Sequence, residues 1–296
     1  MVLFESRLHP EGSEVNLPGV GPALLLARSA ERKGAQGTYL IEREGRRFVY
    51  KVYGARRNPV KAVADHTISF LEGRSSPAPS ARRDTERCAL RLWREHGFPV
   101  FHEIESAPAI AFGAPVLTLE YVPGRRMDHC FLDPDIAREA KLEMVGKLAH
   151  DWARRHELAE RLAEPMLIHE HPGLTHIWLG DDGQHYYFDF EVAFTRRASV
   201  RHLIAREILR LVRSVLKIAS DEEREDLLDV ILKNYRHTEF LRLAAYDLWA
   251  PRRFAVRIFR WFEHRTPRNR RPFSKFETAQ WIVARLPRGL NKKAER

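Results

Sequence analysis

Four stretches of this 296-residue chain carry side chains whose types and spacing could do chemistry together. In Phe48-Val49-Tyr50-Lys51-Val52-Tyr53 a single ammonium group sits in a strand-like segment. A lysine flanked by apolar residues is costly to bury without an anionic partner. Glu86, early in a predicted helix, offers that partner. Residues 168–179 read Ile-His-Glu-His-Pro-Gly-Leu-Thr-His-Ile-Trp-Leu, with imidazoles at 169, 171 and 176 and a carboxylate at Glu170. A neutral imidazole accepts a proton near neutral pH, because its reference pKa is about 6.5. In Tyr186-Tyr187-Phe188-Asp189-Phe190-Glu191, Asp189 lies between two phenylalanines and needs a partner if it is buried. Taken singly, Lys51 reads as an edge-strand lysine and Glu86 as a solvated helix residue. Gly34 and Gly37 alone read as turn glycines. His169, His171, His176 and His185 match neither the His-Glu-x-x-His helix motif nor a cysteine–histidine finger, so zinc ranks low.

Those residues need elements to position them. Gly37–Glu42 and Arg47–Tyr53 are short aromatic and branched runs separated by Arg43-Glu44-Gly45-Arg46, which predicts a hairpin. Residues 73–80, rich in Ser and Pro, predict a loop. A helix is expected from Arg82 to His96, stopped by Gly97. Strands are expected near 100–105 and 115–122. Helical spacing then takes over at 134–163, where Leu142, Val145, Leu148, Ala149 and Trp152 share a face. Short strands are expected at 166–168 and 186–190, and helices over 199–218, 221–236, 238–248, 252–264 and 274–286. Strands first and helices afterwards predict an α+β chain.

In their order and spacing the four pieces resemble the kinase-like phosphotransferases. They are most similar to lipopolysaccharide core sugar (Kdo or heptose) kinases and more distantly to aminoglycoside phosphotransferases. The resemblance covers about residues 34–236. It implies a two-lobed protein-kinase-like fold, with a small mainly β lobe over 1–123 and a larger mainly α lobe over 124–296. It implies that a glycine hairpin with Gly34 and Gly37 covers the phosphates of ATP and that Lys51 contacts them. By the same resemblance Glu86 orients Lys51, and Asp189 holds Mg2+ or Mn2+. Leu117–Gly124 looks like the strand and hinge that contact adenine, with Glu120 and Val122 in the contact positions.

The chain departs from that pattern in the catalytic loop. The family motif is His-x-Asp with an Asn or His five residues after the Asp. His169 and His176 fit its ends, so the Asp slot falls on His171. His171 is then the candidate proton acceptor, with Glu170 as the substitute if the loop shifts by one residue. Loss of general-base help slows transfer by about 10²–10⁴ without abolishing it. A catalytically impaired pseudokinase acting as a scaffold is the other reading. His176 is a poor magnesium ligand, because magnesium prefers oxygen donors. One metal on Asp189 is therefore expected, with His176 on a phosphate or bracing the loop.

Charge bounds the partners. Residues 251–296 carry fourteen Lys/Arg against three acids, a net of +11, and the first 250 residues net −1. A near-neutral body with a basic end argues against a uniform nucleic-acid coat protein. Phe254, Ile258, Trp261 and Phe262 share a helical face among arginines, a pattern that suits an anionic membrane surface. Packing of that face on the helical lobe is the plain alternative, and RNA ranks below both. Two cysteines, Cys88 and Cys130, supply no disulfide framework. No apolar run approaches the roughly 20 residues that span a bilayer. The expectation is a cytoplasmic protein, peripheral on the inner face of the cell membrane. Its expected partners are a nucleotide and a sugar or lipid-linked saccharide.

Overall fold

In the computed structural model the predicted hairpin is formed by β3 (Gly37–Arg43) and β4 (Arg46–Val52), with Arg43 opposite Arg46 and Thr38 opposite Lys51. Glu44 and Gly45 both adopt positive φ, 53° and 73°, the tight two-residue turn whose twist matches paired strands. The structure describes residues 13–17, 21–27, 37–55, 58–105, 114–249, 261, 263–266 and 273–286. Gly34 and the apolar residues Phe254, Ile258 and Phe262 lie outside them, as does most of the expected helix at 252–264. Among the described residues, no helix is long and apolar enough to cross a membrane.

The chain divides into two units. The first comprises residues 1–124 and 180–195. Its five-stranded antiparallel sheet runs in chain order: β1 (Ser13–Leu17), β2 (Gly21–Ala27), β3, β4 and β5 (Val116–Glu120). Residues 13–27, for which the sequence suggested no element, thus supply two strands. Alternation sends Tyr39, Ile41, Phe48, Tyr50 and Val52 into one apolar cluster with Ala23. Lys51, between two of them, points to the other face. Instead of the expected strand at 100–105 there are two single bridges, Val100 to Tyr187 and Glu103 to Leu119.

Two helices follow the hairpin. α1 (Pro59–Glu72) has no counterpart in the sequence reading, although its caps are written there. Asn58 accepts from the amides of Val60 and Lys61, and Gly73 closes the C-terminus at φ 66°. α2 (Pro79–Glu95) begins three residues before the expected Arg82. Its buried stripe is Arg82, Glu86, Ala89, Leu90 and Trp93, which recur at helical spacing. Two charged residues on an inward stripe are unusual, because buried charges need partners.

The second unit comprises residues 125–179 and 196–296. The chain reaches it through β6 (Gly124–Arg126) and leaves through β7 (Ile177–Gly180), and β8 (His185–Tyr187) follows in the first unit. Helices α3 (Met127–Leu132), α4 (Arg138–Leu162), α5 (Val200–Ile218), α6 (Arg224–Asn234), α7 (Thr238–Trp249) and α8 (Lys275–Arg285) build this unit. α5 packs on α7, α4 on α6, and α8 on both α5 and α7. The expected strand at 166–168 is a 3-10 turn, Pro165–Leu167, started by Glu164 accepting from the Met166 amide. Proline at its first position explains the turn, since its fixed φ suits a helical start.

Inside this unit lies a buried polar network. Arg155 on α4 donates to both oxygens of Glu207 on α5, at 3.0 and 2.7 Å, and to the Leu167 carbonyl at 2.6 Å. His156 lies 3.0 Å from Glu207 and 2.7 Å from the Tyr235 hydroxyl. Burial pushes the His156 imidazole down to about 4 and so keeps it neutral at pH 7. For Glu207, burial alone would raise the pKa, but the Arg155 charge and then His156 outweigh it and lower it to about 2.

Candidate active site

Lys51, Glu86 and Asp189 meet within the first unit. Lys51 Nζ donates to both Glu86 oxygens at 3.0 and 2.7 Å and to Asp189 Oδ1 at 2.8 Å. Glu191 Oε1 stands 3.2 Å from the same ammonium. Burial would lower the Lys51 pKa, but Asp189 and Glu86 outweigh it, so the group is held above its ordinary value and stays charged. The Tyr53 hydroxyl donates to Glu86 Oε2 at 2.7 Å, and burial pushes that phenol well above its usual range.

Two of the players were not among the candidates read from the sequence. Arg82, fully buried one turn before Glu86, pairs with Glu191 and donates to the Gly54 carbonyl at 3.3 Å. Glu191 comes two residues after Asp189. A helix stripe containing Arg82 and Glu86, and an acid–x–acid pair at 189–191, are the patterns that could have pointed to them. The five groups carry two positive and three negative charges. Ligand oxygens of Glu86, Asp189 and Glu191 all lie within 4.8 Å of one another. Three carboxylates are the hard-oxygen donor set that suits magnesium or manganese, so the residues present fit the expected ion.

The Asp189 segment is fixed at both ends. Phe190 packs edge-on against Trp93 of α2, centroids 4.7 Å apart, and Tyr187 lies 5.2 Å from the same ring. The Tyr187 amide donates to the Pro99 carbonyl at 3.2 Å, and the Ser75 and Thr195 amides donate to Ala193 O and Gly73 O at 2.8 Å each. Asp189 itself adopts φ 71°, a conformation that aspartate tolerates better than most residues. Such a backbone persists only when its surroundings over-determine it, and that is common where a side chain must be aimed.

Gly37 opens β3, and a Cβ there would meet the Ala27 carbonyl at 2.8 Å. The close approach of β2 is therefore sufficient to require glycine. Glu120 ends β5 and holds residue 102 twice: its side chain accepts from the His102 amide at 2.8 Å, and its own amide donates to the His102 carbonyl at 2.9 Å. Val122 is partly buried in the short link between β5 and β6.

The candidate loop residues sit in the second unit. His169 is buried, and its Nδ1 accepts from the His171 amide at 3.1 Å. Glu170 is buried as well, with Arg206 of α5 donating to Oε1 at 3.1 Å and Arg210 donating to its backbone carbonyl at 2.8 Å. The His171 side chain is half exposed, and its Nδ1 lies 2.5 Å from Glu170 Oε2. The His176 ring lies 5.8 Å from that of His169 and 6.2 Å from that of His171. Ser214 of α5 pins the loop further by accepting from the Leu174 amide at 2.9 Å.

No family model matches the sequence, and no curated protein matches it. Among solved structures, the PknI kinase domain of Mycobacterium tuberculosis is similar at 15% identity, covering 88% of this chain and 95% of that one, with a TM-score of 0.37. Two mutant forms of the same domain match at 12% identity over 77% of this chain and 99% of theirs, with TM-scores of 0.34. Within the described residues the architecture is α+β, with a β-sheet N-terminal unit and a helical C-terminal unit.

Proposed function

We propose that the chain is a kinase-like phosphotransferase that moves the terminal phosphoryl group of ATP to a hydroxyl, with Mg2+ or Mn2+ as the accompanying ion. One observation carries this reading: a partly buried lysine held at once by a helix carboxylate and by the carboxylate of an Asp-Phe-Glu segment. A charged lysine beside an ion-binding acid is what neutralising a nucleotide's phosphates requires. Asp189, with Glu191 beside it, would hold the ion, which supplies charge neutralisation to the phosphates. Lys51 would contact the phosphates while Glu86 keeps it oriented. His171 would take the proton of the attacking hydroxyl, and His176 would brace the loop or contact a phosphate. Glu120 and Val122 would lie against the adenine.

The acceptor favoured is a membrane-associated saccharide of the lipopolysaccharide core. Its support is the sequence resemblance together with the +11 charge of residues 251–296, which suits an anionic surface. The chain would then work at the cytoplasmic face of the membrane.

A second reading is a pseudokinase scaffold, favoured by one specific observation: the Asp slot of the loop motif holds His171. Transfer from γ-labelled ATP, compared between wild type, Asp189→Ala and His171→Ala, separates the two. The enzyme predicts turnover in wild type, loss by about 10² or more in both variants, and a thermal shift with nucleotide plus ion that Asp189→Ala removes. Absence of both turnover and thermal shift in wild type would sink the phosphotransfer reading. A thermal shift without turnover would leave the scaffold.

A further inference from the structure

α1 is turned inside out. Its inward line is small and polar: Ser69 is buried, and Ala62 and Asp65 are partly buried, at spacings of three and four. Its large apolar residues face the other way. Val60, Val63, Phe70 and Leu71 are 75%, 67%, 77% and 64% exposed, and Ile68 is 50% exposed. With exposed Thr67 they fall at i, i+3, i+7, i+8, i+10 and i+11, on one side of the helix. A single exposed apolar residue needs no account, but a contiguous strip marks an interaction surface. Asn58 and Gly73 cap the two ends, so the strip is preformed.

The charges of α1 are set against helix stability. Acids favour a helix N-terminus and bases a C-terminus. Here the first turn has no acid and the last turn no base. Lys61 sits in the first turn, after Arg56 and Arg57 in the sequence, and Glu72 ends the helix. Residues 56–61 thus carry three cations and no acid. The other ionisable residues of α1 are Asp65, on the inward line, and His66.

We propose that the outward face of α1 lies in the interface of an anionic phospholipid bilayer. Val60, Val63 and Leu71 enter the acyl boundary, and Lys61 meets the headgroups. This deepens, and rests on, the membrane location in the proposed function, but not on whether phosphate is transferred. A helix with an apolar face and cations beside it lies along such an interface, sunk by about 5–10 Å. The three cations ahead of the strip complement anionic headgroups, each strengthening binding by about fivefold. A second copy is a poorer occupant. A helix of 14 residues offers a strip about 21 Å long and about 10 Å wide, far under the roughly 800 Å² per partner that a stable dimer buries. A bilayer needs no matching groove.

The test places a polarity-sensitive dye at the centre of the strip. The full chain carries Thr67→Cys, with Cys88→Ser removing the other exposed thiol, since Cys130 is buried. Vesicles are a one-to-two mixture of phosphatidylglycerol and phosphatidylcholine. The expected result is a blue shift of the dye on adding vesicles, and quenching by lipids labelled near the start of the acyl chain. Val63→Ser with Leu71→Ser, both at exposed positions, lowers partition of the α1 face by about tenfold or more. Lys61→Gln lowers it by about fivefold. None of these changes alters transfer from labelled ATP in solution. A dye that stays in water while the chain sediments with the vesicles overturns the inference, because contact is then made elsewhere. No sedimentation at all overturns it together with the membrane location. A blue shift without vesicles, accompanied by a dimer in sedimentation velocity that the double serine variant loses, overturns it in favour of a second copy. If the serine variant does not fold, the dye at position 67 still decides.

Discussion

Lys51 is the residue at which sequence and structure meet most directly. An ammonium group within an apolar strand poses a burial problem, and the structure answers it with contacts to Glu86, Asp189 and Glu191. Asp189 was legible because it interrupts an apolar run, and Glu86 because a lysine in an apolar strand needs an anionic partner. Arg82 and Glu191 were not, because their importance comes from each other and not from their local sequence. Removing the central cation leaves three carboxylates with Arg82 alone. Lys51→Met is therefore expected to destabilise the β-sheet unit by about 3 kcal/mol, since breaking a buried pair strands the remaining charge. Millimolar Mg2+ or Mn2+ should recover part of the lost Tm, because a divalent ion replaces the missing positive charge among the same oxygens. Thermal melts of the variant with and without the ion check this. A Tm indifferent to the ion would argue against the carboxylates as a cation site.

At the scale of elements, the β3–β4 hairpin was readable from its turn and its alternation, and α2 from its stripe and the glycine that ends it. α1 was harder. Val60, Val63, Phe70 and Leu71 are exposed on it, so its apolar residues do not mark an inward face. The strand expected at 166–168 shows the reverse error: three apolar residues look the same in a strand and in a 3-10 turn, and tertiary packing decides. Gly37 changes its meaning at this scale. Gly37→Ala would drive a methyl into the Ala27 carbonyl 2.8 Å away, where β2 already slips register between Leu25 and Ala27. The expected cost is about 1–3 kcal/mol by chemical denaturation, the usual range for overpacking. A neutral substitution would mean that β2 yields easily.

For the whole molecule, the helical unit should be the acid-sensitive one. Above pH 6.5 His156 is neutral folded and unfolded and contributes no slope. Below it the unfolded chain takes up a proton that buried His156 refuses until about pH 4, so stability falls across that window. Glu207, lowered from 4.5 to about 2, stabilises above its unfolded value and loses that contribution as pH falls toward 2. Urea melts from pH 7 to pH 3 should show a steady loss, and His156→Gln should flatten the upper part of the curve. A flat wild-type profile between pH 6.5 and 4 would contradict the buried neutral imidazole. The basic end is not a detachable tail either. α8 buries Phe276, Thr278, Ala279 and Ile282 and packs on α5 and α7. Deletion of 251–296 should therefore lower the Tm of the helical unit. Point changes of the arginines in 251–272, which spare α8, test membrane binding more cleanly in vesicle sedimentation.

The first unit is assembled from two separated pieces of chain, 1–124 and 180–195. During synthesis Lys51 and Glu86 leave the ribosome together, but Asp189 and Glu191 do not yet exist. At about 5–20 residues per second the intervening stretch takes on the order of ten seconds to make. For that interval the nascent sheet holds a lysine and a glutamate satisfied by one another, with Arg82 lacking its carboxylate. The carboxylates proposed to hold an ion are thus completed only after the polypeptide has passed through most of a different folding unit and come back. A gene truncated anywhere before codon 189 would yield a sheet without its acid, and residues 1–124 expressed alone should give no cation-dependent nucleotide binding.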